Sequence, residues 1–132
     1  MDEFTMQPGG TRLLAMAIAG TGAHIDTLIV EYGENAVLSR QRSQEDFEGI
    51  GGGEAGFMKL PVTSSSVESD GTLAFTALVT PSDAADLPAN TELACVTMAC
   101  ADGLVCTALF DPPVAVNPDT YTTVVARMRI GG

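Results

Sequence analysis

SDGTLAFTALVT, residues 69–80, decides the class of fold. Asp-Gly is a strong short-range signal for a tight hairpin turn, because both turn positions need positive φ. Behind it Leu73, Phe75, Ala77 and Val79 fall on one face, with Thr72, Ala74 and Thr76 on the other. A period of two with one apolar face describes a strand buried on one side. The preceding FMKLPVTSSSVE, residues 57–68, supplies the first arm of the hairpin. A second Asp-Gly, Asp102-Gly103, lies within TMACADGLVCTALF, residues 97–110, and predicts another hairpin over 91–110.

Outward from these turns, TYTTVVARMRI (120–130) reads as a closing strand and HIDTLIVEYG (24–33) as a strand ending at Gly33. TRLLAMAIAG (11–20) reads as a short helix, with Thr11 as N-cap and Gly20 as the left-handed stop. Residues 1–10 end in Pro8-Gly9-Gly10 and predict a flexible N-terminus. Residues 34–56 are polar, Gly-rich and acidic, and predict a long loop with a helical turn near 42–48. Loops of this length tend to be functional or mobile, and partner contact is the function that fits this one. Residues 81–90 and the run from Asp111-Pro112-Pro113 read as connections. The expectation is a single domain over 1–132, α+β and mainly β. One N-terminal helix packs on an antiparallel sheet or sandwich built from Asp-Gly hairpins.

Seventeen acids against six bases give a net charge of −11. That balance excludes a nucleic-acid backbone as partner, which needs clustered cations, and disfavours an anionic membrane surface. No apolar run reaches membrane-spanning length, and MDEFTMQPGG lacks the basic start of a signal peptide. Three cysteines, an odd count, suit a reducing site of synthesis.

No set of residues marks out a reaction. Cys95, Cys100 and Cys106 are spaced C-x4-C and C-x5-C, unlike zinc ligands. A turn centred on Asp102-Gly103 pairs Ala99 with Cys106, which puts Cys95 and Cys106 on one face and Cys100 on the other. Cys95 and Cys106 are then about 13 Å apart along the ladder, beyond disulfide reach. All three read as packing thiols. GGGEAG (51–56) matches G-x-G-x-x-G, but acids precede it and strand-like FMKLPV follows, so no helix N-terminus meets a phosphate. His24 and Ser64 to Ser66 have the chemistry of a base and nucleophiles without a motif that joins them. Glu45, Asp46, Glu48 and Glu54 lack the alternation of a calcium loop and read as a solvated acidic face. Arg127 and Arg129 alternate with apolar residues, and an inter-chain ion pair with the acidic loop is one use for them. The expectation is therefore no catalytic, cofactor-binding or metal-ligating residue, no cofactor, and no enzyme.

Laid end to end, RLLAMAIAGTGAHIDTLIVEYGE, the loop 33–56, VTSSSVESDGTLAFTALVTP, ACADGLVCTALFDPP and TYTTVVARMRI resemble the N-terminal, baseplate-attachment domain of phage tail-fibre proteins. The similarity lies in element order: helix, turn and strand, Gly-rich loop, hairpin, Asp-Gly hairpin running into prolines, and an Arg-bearing last strand. Two stretches differ from the family's pattern. LPANTELACVTMA replaces an aromatic and Arg-rich approach, and EYGEN replaces Gly-Asp-Gly. The resemblance implies a bacteriophage virion structural protein of the viral tail, made in the host cytoplasm. It would act through protein–protein contacts, as a homo-oligomer and with other tail or baseplate proteins. The competing expectation is a small bacterial binding module that holds a partner or glycan in the 34–56 loop.

Overall fold

A computed structural model describes residues 4–7, 10 and 24–129 of the 132-residue chain. It is mainly β, with two antiparallel sheets facing each other. The strands are β1 (Phe4–Met6), β2 (Thr27–Glu31), β3 (Phe57–Pro61), β4 (Ser64–Val67), β5 (Thr72–Val79), β6 (Glu92–Cys100), β7 (Gly103–Ala115) and β8 (Thr122–Arg129). The larger sheet runs β1-β7-β6-β2-β3 and the smaller β4-β5-β8. The helix expected over 11–20 lies outside the described residues.

Alternation explains the layers. Leu28, Val30, Met58, Leu60, Val96, Met98, Cys106 and Ala108 form the inner face of the larger sheet. They pack against Phe75, Ala77, Val79, Val124, Ala126 and Met128 of the smaller. Side chains of two facing sheets interdigitate in this way to make a sandwich core. The alternation of residues 72–79 thus points Leu73, Phe75, Ala77 and Val79 into the core, with Ala77 and Val79 fully buried.

Several local expectations change. Residues 4–6, inside the stretch read as flexible, form β1 and pair with Cys106–Ala108 of β7. Residues 57–68 are two strands, because the chain leaves the larger sheet after Pro61 and joins the smaller at Ser64. The 81–90 connection holds a short helix, α1 (Pro81–Ala85). Thr80 caps it, accepting from the Asp83 backbone N–H at 3.1 Å while Asp83 Oδ2 accepts from the Thr80 N–H. β7 continues through Asp111-Pro112-Pro113 to Ala115, where the prolines had predicted a loop.

The register of the β6–β7 turn also differs. Cys100 pairs with Gly103, so Ala101 and Asp102 occupy the turn and Gly103, at φ 155°, opens β7. Between Met98 and Ala99 the register then shifts, with Val105 as the extra residue, and Met98 faces Cys106. A one-residue slip moves every side chain to the other face. Cys106 therefore shares the inner face with Cys100, while Cys95 lies on the outer face opposite Glu31. The bulge keeps Cys106 and Ala108 in the core and Thr107 outside it.

Candidate interaction surface

The outer face of the larger sheet is where residues 34–56 come to rest. β2 presents Ile29 and Glu31 there, β6 presents Cys95, Thr97 and Ala99, and β7 presents Thr107. Most of this face is covered: Glu31, Cys95, Thr97 and Thr107 are each at most 2% exposed. A carboxylate taken out of water needs an opposite charge and donors for its lone pairs. Arg42 and Arg40, from the loop, supply both. Arg42 Nε donates to Glu31 Oε1 and Arg40 Nη2 to Glu31 Oε2, each at 2.5 Å. Arg42 also donates to the backbone carbonyls of Arg40 and Val37, at 2.5 and 2.6 Å. A longer contact of 3.4 Å to the Leu38 carbonyl makes three loop positions that its guanidinium gathers over the sheet.

The network runs on. The Arg42 backbone N–H donates to Gln7 Oε1 at 3.1 Å, and Gln7 Nε2 donates to Thr107 Oγ1 at 2.8 Å. Thr107 and Thr97 share a hydroxyl hydrogen bond of 2.7 Å. Among the described residues no buried side-chain nitrogen or oxygen lacks a partner. Cys95 sits beside this network, and burial pushes its thiol above the ordinary range, partly offset by Arg42.

Beside the ion pair the loop adds an apolar contact. A 3-10 turn over Gln44–Phe47 drives Phe47 onto Ile29, Phe57, Ala99 and Leu104. Phe47 meets Phe57 edge-on at 5.2 Å between ring centres, a favoured aromatic geometry. Asp46 closes the turn by accepting from the Ser43 N–H at 2.9 Å. Residues 51–56, GGGEAG, run alongside β3: Gly52 N–H donates to the Phe57 carbonyl at 2.7 Å, and Tyr32 Oη donates to the Gly53 carbonyl at 2.8 Å. Burial raises the Tyr32 phenol above its ordinary value. The expected loop is therefore a folded strap, with Arg42 and Phe47 turned inward and Glu45, Glu48, Ile50 and Glu54 turned outward.

The strap borders two grooves. One, of about 450 Å³, lies between Tyr32, Glu34, Arg40, Asp46 and Glu54. The other, of about 490 Å³, lies between Lys59, Glu45, Glu48 and the β6–β7 turn.

The residues singled out from sequence are scattered. His24 is exposed at the entry to β2, and Ser64 to Ser66 are exposed on β4, so no nucleophile–base arrangement forms between them. Cys95, Cys100 and Cys106 are free and buried. Cys106 Sγ lies 3.3 Å from Met128 Sδ and 3.9 Å from Met98 Sδ, and burial pushes its thiol up to about 12. Among the described residues no three His, Cys, Asp or Glu side chains gather as metal ligands, and no helix is long and apolar enough to cross a membrane. Arg127 pairs with Glu68 at 3.0 Å within the chain.

Sequence reasoning missed Glu31, Arg40 and Arg42. The signal was present: TLIVEY puts an acid inside an apolar strand, and Arg40-Gln41-Arg42 follows within eleven residues. Comparison with protein-family models found no matching family, and the searches of curated proteins and of solved structures likewise found no match.

Proposed function

We propose that this chain is a non-enzymatic structural protein of a phage tail, an attachment or adaptor component of the tail fibre or baseplate that works by protein–protein contact. The observation that carries the reading is the strap. Its cations and Phe47 are spent inward on the sheet, and what it holds outward is Ile50 among carboxylates. Such a surface is built to be touched rather than to react. The uncovered β4 edge, SSSV with Val67 69% exposed, offers a second place for a neighbouring chain. The element order shared with tail-fibre attachment domains supports the same reading, which keeps the helix expected over 11–20 and the Asp-Gly hairpins as parts of the module. Mass spectrometry and antibody labelling of purified particles test it. The chain should be found at the tail in stoichiometric amount, and its absence from every particle fraction sinks the proposal.

The groove beside Tyr32 and Arg40 favours a second reading, a binding module for a partner or glycan. Deleting residues 41–56 is a poor test, because it removes buried Arg42 and Phe47 and with them part of the fold. Glu34→Ala and Asp46→Asn alter the groove without emptying the sheet surface. A glycan array showing tight binding that these variants abolish would establish this reading over the first.

A further inference from the structure

Every aspartate carries a latent reaction with its own backbone. The backbone nitrogen of the next residue attacks the side-chain carbon Cγ. Its hydrogen and the carboxyl hydroxyl leave as water, and a five-membered succinimide closes. Water then opens the ring, and where it adds at the former backbone carbonyl the product is isoaspartate. The mass is unchanged, and the backbone is longer by one carbon. Asparagine reacts alike, losing ammonia in the first step. A following glycine favours the attack, because no Cβ crowds its nitrogen and its φ is free.

The chain holds two Asp-Gly pairs, Asp70-Gly71 and Asp102-Gly103, and no Asn-Gly. Asn35 and Asn90 are followed by the bulkier Ala36 and Thr91. Asp111 and Asn117 precede prolines, which have no N–H to give up. Both candidate aspartates are exposed. The structure separates them. Asp70 Oδ1 accepts from the Thr72 N–H at 3.0 Å. The Thr72 N–H and hydroxyl hold the Asp70 carboxyl below its ordinary range. A carboxylate is a poor electrophile, and this one must leave Thr72 before the Gly71 nitrogen can reach its Cγ. Asp102 stands at the tip of the β6–β7 turn, and among the described residues no hydrogen bond fixes its carboxylate.

We propose that Asp102 is a site of spontaneous modification, where the folded chain converts to isoaspartate ahead of Asp70. The consequence follows from the tightness of the turn. Only Ala101 and Asp102 lie between the paired Cys100 and Gly103. An added backbone carbon has nowhere to go there without moving one member of that pair. Cys100 Sγ donates to the Gly103 carbonyl at 3.5 Å, and the residue is 8% exposed. Displacing Gly103 therefore uncovers the Cys100 thiol. The turn also lines the groove beside Lys59, so ageing reshapes one of the two grooves that border the strap.

The test incubates the purified full chain at neutral pH and physiological temperature and samples it over weeks. Lys59 and Arg127 bracket both sites, so trypsin leaves them in one peptide. An endoprotease that cuts before aspartate is used instead, because it does not cut before isoaspartate. Mass spectrometry then follows the loss of cleavage at each position. Cleavage at Asp102 should be lost at least ~3-fold faster than at Asp70, as expected for one hydrogen bond that must first be released. In urea the two should convert at similar rates, because both are Asp-Gly and neither is held. Thiol labelling of Cys100 should rise in step with isoaspartate at Asp102. Asp102→Glu, whose ring would have six members and close more slowly, should keep Cys100 unlabelled over the same period. A circular dichroism melt like that of wild type establishes that this variant folds. Conversion at Asp70 as fast as at Asp102 in the folded chain overturns the proposal. So does a folded chain in which neither site converts while both do in urea. Cys100 labelling that does not follow isoaspartate at Asp102 overturns the coupling to the thiol.

Discussion

Removing Arg42 tests whether the strap is part of the fold. Arg42→Ala takes away a guanidinium whose side chain is 0% exposed and leaves the Glu31 carboxylate 3% exposed. Breaking a buried pair from one side costs about 3–5 kcal/mol, because the other charge stays behind in low dielectric. Arg40 still reaches Glu31 Oε2, which favours the lower end. The carbonyls of Val37 and Arg40 lose their donor as well, about 1 kcal/mol each where water does not replace it. The sum is about 3–5 kcal/mol, or roughly 10–18 °C in Tm for a domain of this size. Arg40→Ala provides the contrast: its side chain is 29% exposed, and solvent screening reduces its loss to about 1 kcal/mol. The double change Glu31→Leu with Arg42→Met removes both charges and should recover most of the stability. Urea denaturation followed by circular dichroism measures all three. An Arg42→Ala variant within about 1 kcal/mol of wild type, no worse than Arg40→Ala, would refute a buried clamp.

Phe47→Ala should cost about 3 kcal/mol in the same assay, since the ring is 2% exposed against Phe57; a neutral result would mean a loop that does not pack. Gly51→Ala combines positive φ with collision against Phe57 and should lose more than ~2 kcal/mol, whereas Gly33→Ala, with open space around it, should lose about 1. Equal losses at the two sites would contradict the strap's close approach to β3. Cys106 has its folded thiol pushed up to about 12. Its stabilising effect is therefore complete below the unfolded value of about 8.5 and fades as pH rises toward the folded one. Wild type should lose stability on the alkaline side more steeply than Cys106→Ala, and parallel pH curves would reject the assignment. At neutral pH all three thiols should resist Ellman's reagent until the protein opens; rapid labelling of any of them would show that it is accessible in the native state.

The period-two runs made the strands readable: Phe75 to Val79 and Val124 to Met128 bury alternate residues as written in the sequence, although Ala74 on the other face of β5 is buried too. The turn signals marked where the chain reverses but not the register. At Ala101–Gly103 the offset was set by the need to keep Thr107 out of the core, and the bulge that meets this need leaves no local signature. Prolines misled in the other direction, because Asp111-Pro112-Pro113 lies near the exposed end of β7 where missing donors are tolerated. Two short helices were announced by T-x-x-D at Thr80 and S-x-x-D at Ser43, a pattern that is easily passed over without an apolar run behind it. The strap surface was the least legible part. Composition identified residues 34–56 as a loop, but its path depends on Glu31, a residue of a different element. Only an accounting of charge, one acid in an apolar strand and few cations to meet it, links the two.

The place of β1 carries a consequence for how the protein is made. Gln7, immediately after β1, bonds to Thr107 a hundred residues later, and the strand beside it is β7. At ribosomal rates of about 5–20 residues per second, the first strand waits roughly 5–20 s for its neighbour to be synthesised. During that interval its hydrogen-bonding edge is open, and so is the edge of β6 that β7 will fill. The strand order therefore delays completion of the larger sheet until most of the chain has been translated. A nascent chain stalled before residue 103 should stay bound to a holding chaperone, and release should follow within seconds once β7 has emerged.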